Sequence, residues 1–385
     1  MIEGLFYVYV AALGAIVGSF ANVCIHRLPR GESVVTPPSH CPACGKRIAA
    51  RDNVPLVSYL LLRGRCRHCR TRIPVRYPLV EGVTSLLFLF VAFLWGPSVD
   101  ALRGALLVTA CVILVGTDLK ERILPDEVTL GGTALGASLS LLEDLTRGAA
   151  FSFGGSRFVG SVLGAAVGGG LLLAVRTVYL RFRHVEGLGL GDVKMLAMIG
   201  TFTGPVGALM TLFAGSVGGS LVGLTAAAVR HAAWWREARG VARDPGRAAG
   251  VARQRGLLVG PEGLVLAAGP PWSEIPGAAA EGDPLRASAR AARPLVAVAR
   301  LARRRGDPRR PVRSGRIVVD DGDSFFRVYA VLAVPTGRDC LMLLDRADIP
   351  FGVFLALGAL VTLASGRPLL HLSGLASLPP AGLLP

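Results

Sequence analysis

Apolar runs recur along the whole chain, and no other feature of the sequence restricts its fold as severely. They lie at roughly Leu5 to Ile25, Leu79 to Trp95, Ala101 to Val115, Val128 to Leu142, Phe158 to Leu180, Val193 to Val229 and Ile349 to Ala364. A helix crosses a bilayer with about 20 such residues, and inside hydrocarbon only a helix or a closed barrel satisfies its own backbone. The run from Val193 is interrupted by Thr203-Gly-Pro-Val-Gly207 and divides into two, which makes about eight spans, some of them short. With 52% of its 385 residues hydrophobic and 18% charged, the expected fold class is an all-α polytopic membrane protein. The first run follows Met1-Ile-Glu-Gly, which lacks a basic flank, and it is longer than the apolar core of a leader; it reads as a retained span.

Charge supplies the orientation. The segment Arg27 to Tyr77 carries eleven Lys and Arg residues against only Glu32 and Asp52. Basic loops stay in the cytoplasm, so this segment is expected inside and the N-terminus outside. The loops around Asp118 to Glu127 and Arg181 to Asp192 then also fall inside. The net charge of +16 is accounted for by such loops. With little aromatic interleaving there is no stacking surface for single strands, and no nucleic acid is expected as a partner; the lipid bilayer is.

Four of the seven cysteines form two Cys-x-x-Cys pairs, Cys41-Pro-Ala-Cys44 and Cys66-Arg-His-Cys69. Two such knuckles about 20 residues apart can close four thiolates around one tetrahedral zinc. A closed Cys₄ site leaves no open position for water or substrate, so the zinc is expected to be structural. Gly45 suits the sharp turn that brings backbone N–H groups toward the sulfurs.

The chain therefore divides into a first span at 1–26, a cytoplasmic zinc-binding module at 27–78, a membrane core at 79–229, a basic cytoplasmic insertion at 230–348 and a last span with its tail at 349–385. The first part of the insertion is rich in Ala, Gly, Pro and Arg and predicts disorder or loose helix. From Arg316 the pattern changes. Ile317 to Val319, Phe325 to Val334 and Cys340 to Leu344 have the look of short strands around turns at Asp321-Gly322 and Pro335-Thr-Gly337, a small β-rich cap.

Two acids stand at span boundaries. Asp118 follows the run ending at Val115, and Asp192 closes Gly187-Leu-Gly-Leu-Gly and opens the next run. An ionised carboxylate entering hydrocarbon costs several kcal/mol, so such residues are rarely decorative. The glycines permit close approach of the backbone near Asp192 to another helix; a phosphate-cradling loop would need a preceding strand and a soluble helix, and has neither. Two carboxyls at one site share a proton. The ionised member can deprotonate water while the protonated member polarises a carbonyl, the logic of an aspartic protease. The alternative is that the acids cap helices and that Asp192 pairs with Lys194. Capping suits Asp126, which stands just after Pro125. Glu81, just inside the second run, fits a hydrogen bond to a neighbour as well as it fits a site.

The order of motifs resembles the bacterial type IV prepilin peptidases (leader peptidase/N-methyltransferase). The resemblance rests on Gly18-Ser-Phe-Ala-Asn-Val-Cys-Ile-His-Arg-Leu-Pro29, Ser39-His-Cys-Pro-Ala-Cys44, Asp52-Asn-Val-Pro55 and Leu62-Arg-Gly-Arg-Cys-Arg-His-Cys69. It continues through Arg76-Tyr-Pro78, Asp118, Ile123-Leu-Pro-Asp126, Gly189-Leu-Gly-Asp192 and Pro350-Phe-Gly-Val-Phe-Leu355. It implies cleavage of the short basic leader of prepilins or pseudopilins at the cytoplasmic membrane face, with catalytic roles for Asp118 and Asp192. In members with the Cys module it also implies methylation of the new N-terminus from S-adenosylmethionine, for which the sequence offers no cofactor fingerprint. The insertion 230–348 has no counterpart in that pattern, and Val353 stands where Pro is usual. The reading from a different class is a zinc-ribbon membrane scaffold of a pilus or secretion system, which would leave the two boundary acids without a task.

Overall fold

Helix α7, Leu190–Arg243, is the element around which the membrane-spanning helices assemble. In the computed structural model its Met195, Leu196, Met198 and Ile199 are fully buried. They pack with Leu107, Cys111 and Leu114 of α4 (Val99–Glu121), Leu172 of α6 (Arg157–Arg183) and Leu355, Ala356 and Ala359 of the last helix, α9 (Phe351–Leu372). The structure describes residues 2–147, 156–183, 188–259, 265–268, 312–320, 326–336, 339–346 and 351–372.

The described residues fall into two compact units. One takes in the chain up to Phe182, Gly187–Gly219 and the stretch from Pro350; the other takes in Arg183–Glu186 and Ser220–Ile349. The first unit is helical. It holds α1 (Ile2–Arg27), the short α2 (Val57–Leu61), α3 (Arg76–Trp95), α4, α5 (Asp126–Arg147), α6, the N-terminal part of α7, and α9. Among the described residues, five helices are long and apolar enough to cross a membrane: Gly4–Arg30, Arg76–Trp95, Val99–Glu121, Arg157–Phe182 and Leu190–Ala226; Phe351–Ser365 is a shorter apolar helix. The expected count of eight is not reached by this measure, for three physical reasons. Thr129, Thr133, Ser138, Ser140, Glu143 and Asp144 dilute the apolar character of α5, the two expected spans from Val193 are joined into one helix across a kink, and the apolar part of the last helix is short.

That kink follows from local chemistry. Pro205 has no N–H to give the carbonyl four residues back, and Gly204 adopts φ 74°, ψ −179°. The released carbonyls find other donors. Arg103 Nη2 lies 3.2 Å from Thr201 O and 3.3 Å from Phe202 O, and Ser161 Oγ donates to Thr201 O at 2.9 Å. Arg103 is itself buried, donates to Ser140 Oγ at 2.9 Å and faces Glu143 at 3.7 Å, which Arg157 also contacts at 2.7 Å. Such pairing is what makes charges tolerable inside a helix bundle.

Small residues set the other contacts, as expected where lipid tails are as apolar as the side chains. Gly14 and Gly18 of α1 lie against α3, where an added Cβ would come 2.8 Å from the Cα atoms of Ser85 and Glu81 respectively. Gly164 of α6 and Gly200 of α7 meet backbone to backbone. Polar ties reinforce the α1–α3 pair: Ser85 Oγ donates to Ala11 O at 2.8 Å and Asn22 Nδ2 to Tyr77 O at 3.0 Å.

The second unit carries a five-stranded antiparallel sheet. Its strands are β1 (Gly256–Val259), β2 (Val265–Ala268), β3 (Val312–Asp320), β4 (Phe326–Thr336) and β5 (Asp339–Arg346), in the order β2-β1-β5-β4-β3. Helix α8 (Ala248–Arg255) packs Ala248 and Ala252 with Val241, Leu258 and Leu341, the last two directly paired across β1 and β5. Helix therefore extends into the Arg- and Ala-rich stretch as far as Arg255, where the composition predicts loose structure. The rest of that stretch, at 269–311, and the turn at Asp321-Gly322 lie outside the described residues.

Candidate active site and metal centre

Asp118 occupies the last turn of α4 and is buried. The helix ends three residues later because Arg122 takes the left-handed conformation (φ 58°), its N–H closing on Asp118 O at 3.1 Å. Arg122 interacts electrostatically with the Asp118 carboxyl. Across from it, Asp192 stands in the first turn of α7, partly buried, and the two carboxyls are within electrostatic reach of one another. The structure thus brings together two acids separated by α5 and α6 in the chain.

Leu124 and α9 complete the walls. Gly191, next to Asp192, lies against Leu124, where a Cβ would stand 3.0 Å from the Leu124 side chain. Gly352 of α9 covers Asp118 so closely that a Cβ there would come 2.9 Å from Asp118 Oδ2 and 3.5 Å from Leu124 Cδ1. The backbone N–H groups of Gly352 and Val353 face the same carboxyl, and a helix N-terminus favours negative charge. Asp118 Oδ2 is buried and has no hydrogen-bond partner among the described residues. A buried carboxyl oxygen without a partner is costly unless it holds a proton or meets a ligand.

Lys194 does not pair with Asp192. Its Nζ lies 2.7 and 2.8 Å from the two carboxylate oxygens of Asp126, at the start of α5. The pair ties α5 to α7 on the exposed rim and leaves Asp192 to Asp118. Glu81 is also accounted for: its Oε2 accepts the Leu56 N–H at 2.8 Å. In the sequence Gly352 stands out only as part of the Pro350-Phe-Gly stretch that the family resemblance includes.

The four cysteines converge. Cys41, Cys44, Cys66 and Cys69 place their sulfurs within 4.8 Å of one another, with Cys41 Sγ and Cys69 Sγ 3.8 Å apart. Four sulfurs about 2.3 Å from a zinc ion sit about 3.8 Å from each other, so the cluster fits a tetrahedral ion. The two knuckles repeat one backbone pattern. Cys41 N–H donates to Lys46 O and Gly45 N–H to Cys41 O, while Cys66 N–H donates to Thr71 O and Arg70 N–H to Cys66 O, all at 2.8 to 3.1 Å. Gly45 (φ 69°) and Arg70 (φ 59°) fill the same left-handed position, one without and one with a Cβ. The hydroxyl and backbone of Thr71 beside Cys69 bring its thiol down to about 6, and a neighbouring Cys66 adds to this. Cys44, against the lowering effect of the backbone hydrogen bond at Lys46, is pushed up to about 11 by desolvation and by the Cys41 and Cys69 sulfurs; a bound metal ion would displace the protons such a cluster holds. Asp52, held below the usual carboxylate range by the Arg67 guanidinium, secures the second knuckle from outside at 2.6 to 3.0 Å.

Residues 12–95 match the bacterial peptidase A24 N-terminal domain, and residues 105–224 match the type IV leader peptidase family. The chain is similar to a protein of Myxococcus xanthus (strain DK1622) named prepilin leader peptidase/N-methyltransferase, at 39% identity over 220 residues, 57% of this chain and 63% of that relative. Proteins of the same name match from Pseudomonas putida, at 36% over 251 residues (59% of this chain, 83% of the relative), and from Neisseria gonorrhoeae, at 36% over 247 residues (58% and 82%). No solved structure matches.

Proposed function

The chain belongs to the type IV leader peptidase family, and from that premise we propose that it is a membrane aspartic endopeptidase that cuts the basic leader from type IV prepilins or pseudopilins. The observation that carries the reading is that the Asp118 carboxyl, covered by Gly352 at the head of α9, lies within electrostatic reach of Asp192.

Asp118 and Asp192 are the proposed catalytic pair. Between them they hold one proton, because two like charges at one partly desolvated site are unfavourable. The ionised carboxylate takes a proton from water as the water oxygen bonds to the scissile carbonyl carbon. The protonated carboxyl passes its proton to the carbonyl oxygen. Collapse of the tetrahedral intermediate breaks the C–N bond, and the new amine leaves with a proton from the dyad. The placement of both acids at helix ends supports water access, since each sits at the boundary of an apolar span.

Cys41, Cys44, Cys66 and Cys69 would hold zinc, whose role is to close the module, all four positions being filled by thiolates. The family name also implies N-methylation of the exposed N-terminus with S-adenosylmethionine as donor. The excess of basic residues in 27–77 supports a cytoplasmic Cys module in the bacterial inner membrane, with the substrate leader on the same side.

The test is mass spectrometry of a purified prepilin after incubation with the protein in detergent, with and without methyl donor. The expected spectrum shows loss of the leader mass, and a further methyl group when the donor is present. A prepilin that is bound but never shortened would overturn the peptidase reading and favour a scaffold.

Gly352 offers a sharper check on the geometry. Gly352→Ala places a methyl group 2.9 Å from Asp118 Oδ2, too close for either group to stay where it is. Cleavage is expected to fall by about tenfold or more, since small misplacements of catalytic groups are expensive, while the substrate's KM changes little. An unchanged kcat in the Ala variant would mean that α9 does not close over Asp118.

A further inference from the structure

Helix α2 is turned inside out for a surface helix in water. On a soluble surface the polar side faces solvent and the apolar side faces the protein. Here Val57, Leu60 and Leu61, at helical spacing, are 51%, 73% and 76% exposed. The polar Ser58 is instead buried, its Oγ accepting the Val54 N–H at 3.0 Å and donating to Arg51 O at 3.0 Å. Val54, also exposed, extends the patch.

The depth of this patch is set by a bond to a membrane helix. Leu56 N–H donates to Glu81 Oε2, and the Leu56 side chain reaches Gly82. Glu81 lies five residues into α3 from Arg76, about 7–8 Å of helical rise. On the same helix Leu79, Val83, Leu86, Phe90 and Phe93 form an exposed stripe at spacings of three and four residues, the face a spanning helix turns to lipid. The patch on α2 therefore lies level with the start of that stripe. Arg51 and Arg63, both exposed, bracket the apolar stretch Val54 to Leu62, as basic residues do where an apolar segment meets anionic headgroups. Nine residues are too few to cross a bilayer.

We infer that residues 54–62 are an interfacial membrane segment, which buries Val57, Leu60 and Leu61 among the acyl chains of the leaflet at the Arg76 end of α3. The segment fixes the Cys module against the bilayer surface instead of leaving it to hang from its two connections. The patch is dry because lipid covers it; Ser58 and Glu81 satisfy the backbone that the loop would otherwise expose to hydrocarbon. This rests on the membrane placement of α3 alone and stands whether or not the chain cleaves a prepilin.

The test uses the full chain in vesicles of phosphatidylcholine and phosphatidylglycerol containing a trace of lipid with a photoactivated carbene precursor on its acyl chain. Trypsin cuts after Arg51 and Arg63 and isolates the segment. The expected result is acyl-chain adducts on the 52–63 peptide, at a level comparable to the α3 stripe, and their loss in the Leu60→Asp/Leu61→Asp double variant while α3 stays labelled. Labelling of α3 without labelling of 52–63 in the unaltered protein would overturn the inference. So would efficient labelling of 52–63 by a water-soluble carbene reagent in the same vesicles, which would place the patch in water or under a protein partner absent from them.

Discussion

Replacing either Asp118 or Asp192 by Asn is expected to lower prepilin cleavage by about 10²–10⁴-fold, the usual contribution of a positioned acid or base, with the protein still inserted and folded. The change is nearly isosteric at both positions. At Asp118 it breaks no side-chain hydrogen bond of Oδ2, which has no partner among the described residues; at Asp192 it leaves Lys194 on Asp126. The two groups share one proton inventory, so the effects should not add: the double Asn variant should be no slower than the worse single one. Neither variant should alter the metal content of the Cys module or the thermal midpoint by more than a few degrees. Cleavage at the unaltered rate in either single variant would remove the dyad, whatever the family resemblance suggests.

Part of this site could be read before any coordinates. An acid at the edge of an apolar run is conspicuous because hydrocarbon penalises it, and Asp118 and Asp192 both stand out in the sequence for that reason. The alternative pairing of Asp192 with Lys194 is disfavoured by helix geometry alone. Residues two apart on a helix do not face each other, so Lys194 was free to reach Asp126 across the groove to α5. The kink at Gly204 was likewise visible as Thr-Gly-Pro, but not the answer to it. Arg103 reads as one basic residue near the start of an apolar run, and only the fold shows it donating to the carbonyls that Pro205 releases.

The covering of Asp118 by α9 was not legible, for a different reason. The last span returns after a long insertion, and no local pattern in Pro350-Phe-Gly names a partner. What places Gly352 is the absence of a Cβ where α4 and α9 converge, and an absence carries no periodicity. Glu81 illustrates the same limit. Its residue type announced a need for a partner, and the sequence could not say that a backbone N–H at Leu56, held at φ 60°, would supply it.

Removal of the metal is expected to have the second large effect, confined to the module. The knuckles 39–48 and 64–73 contain few buried apolar side chains; Cys41 is the only buried hydrophobic residue of the module among the described residues. Without a core of its own, a unit of this size depends on its ligands for its fold. Elemental analysis of the purified chain is expected to give one zinc per protein, and Cys66→Ser or Cys41→Ser less than about a tenth of that, because three thiolates cannot close a structural site. Hydrogen exchange then distinguishes a local from a global loss. The N–H groups of Cys41, Gly45, Cys66 and Arg70, which are bonded only within the knuckles, should lose their protection. Those of α3 and α4 should keep theirs, because Gly14 and Gly18 still hold α1 against α3 and the α4–α7–α9 core includes none of the four module cysteines. The tie from Leu56 to Glu81 should also survive, since it joins the segment beside α3 and not the knuckles. Stoichiometric zinc in a variant lacking two of the four cysteines would place the metal elsewhere in the chain, and unchanged exchange across 39–73 after chelation would mean that the module folds without it.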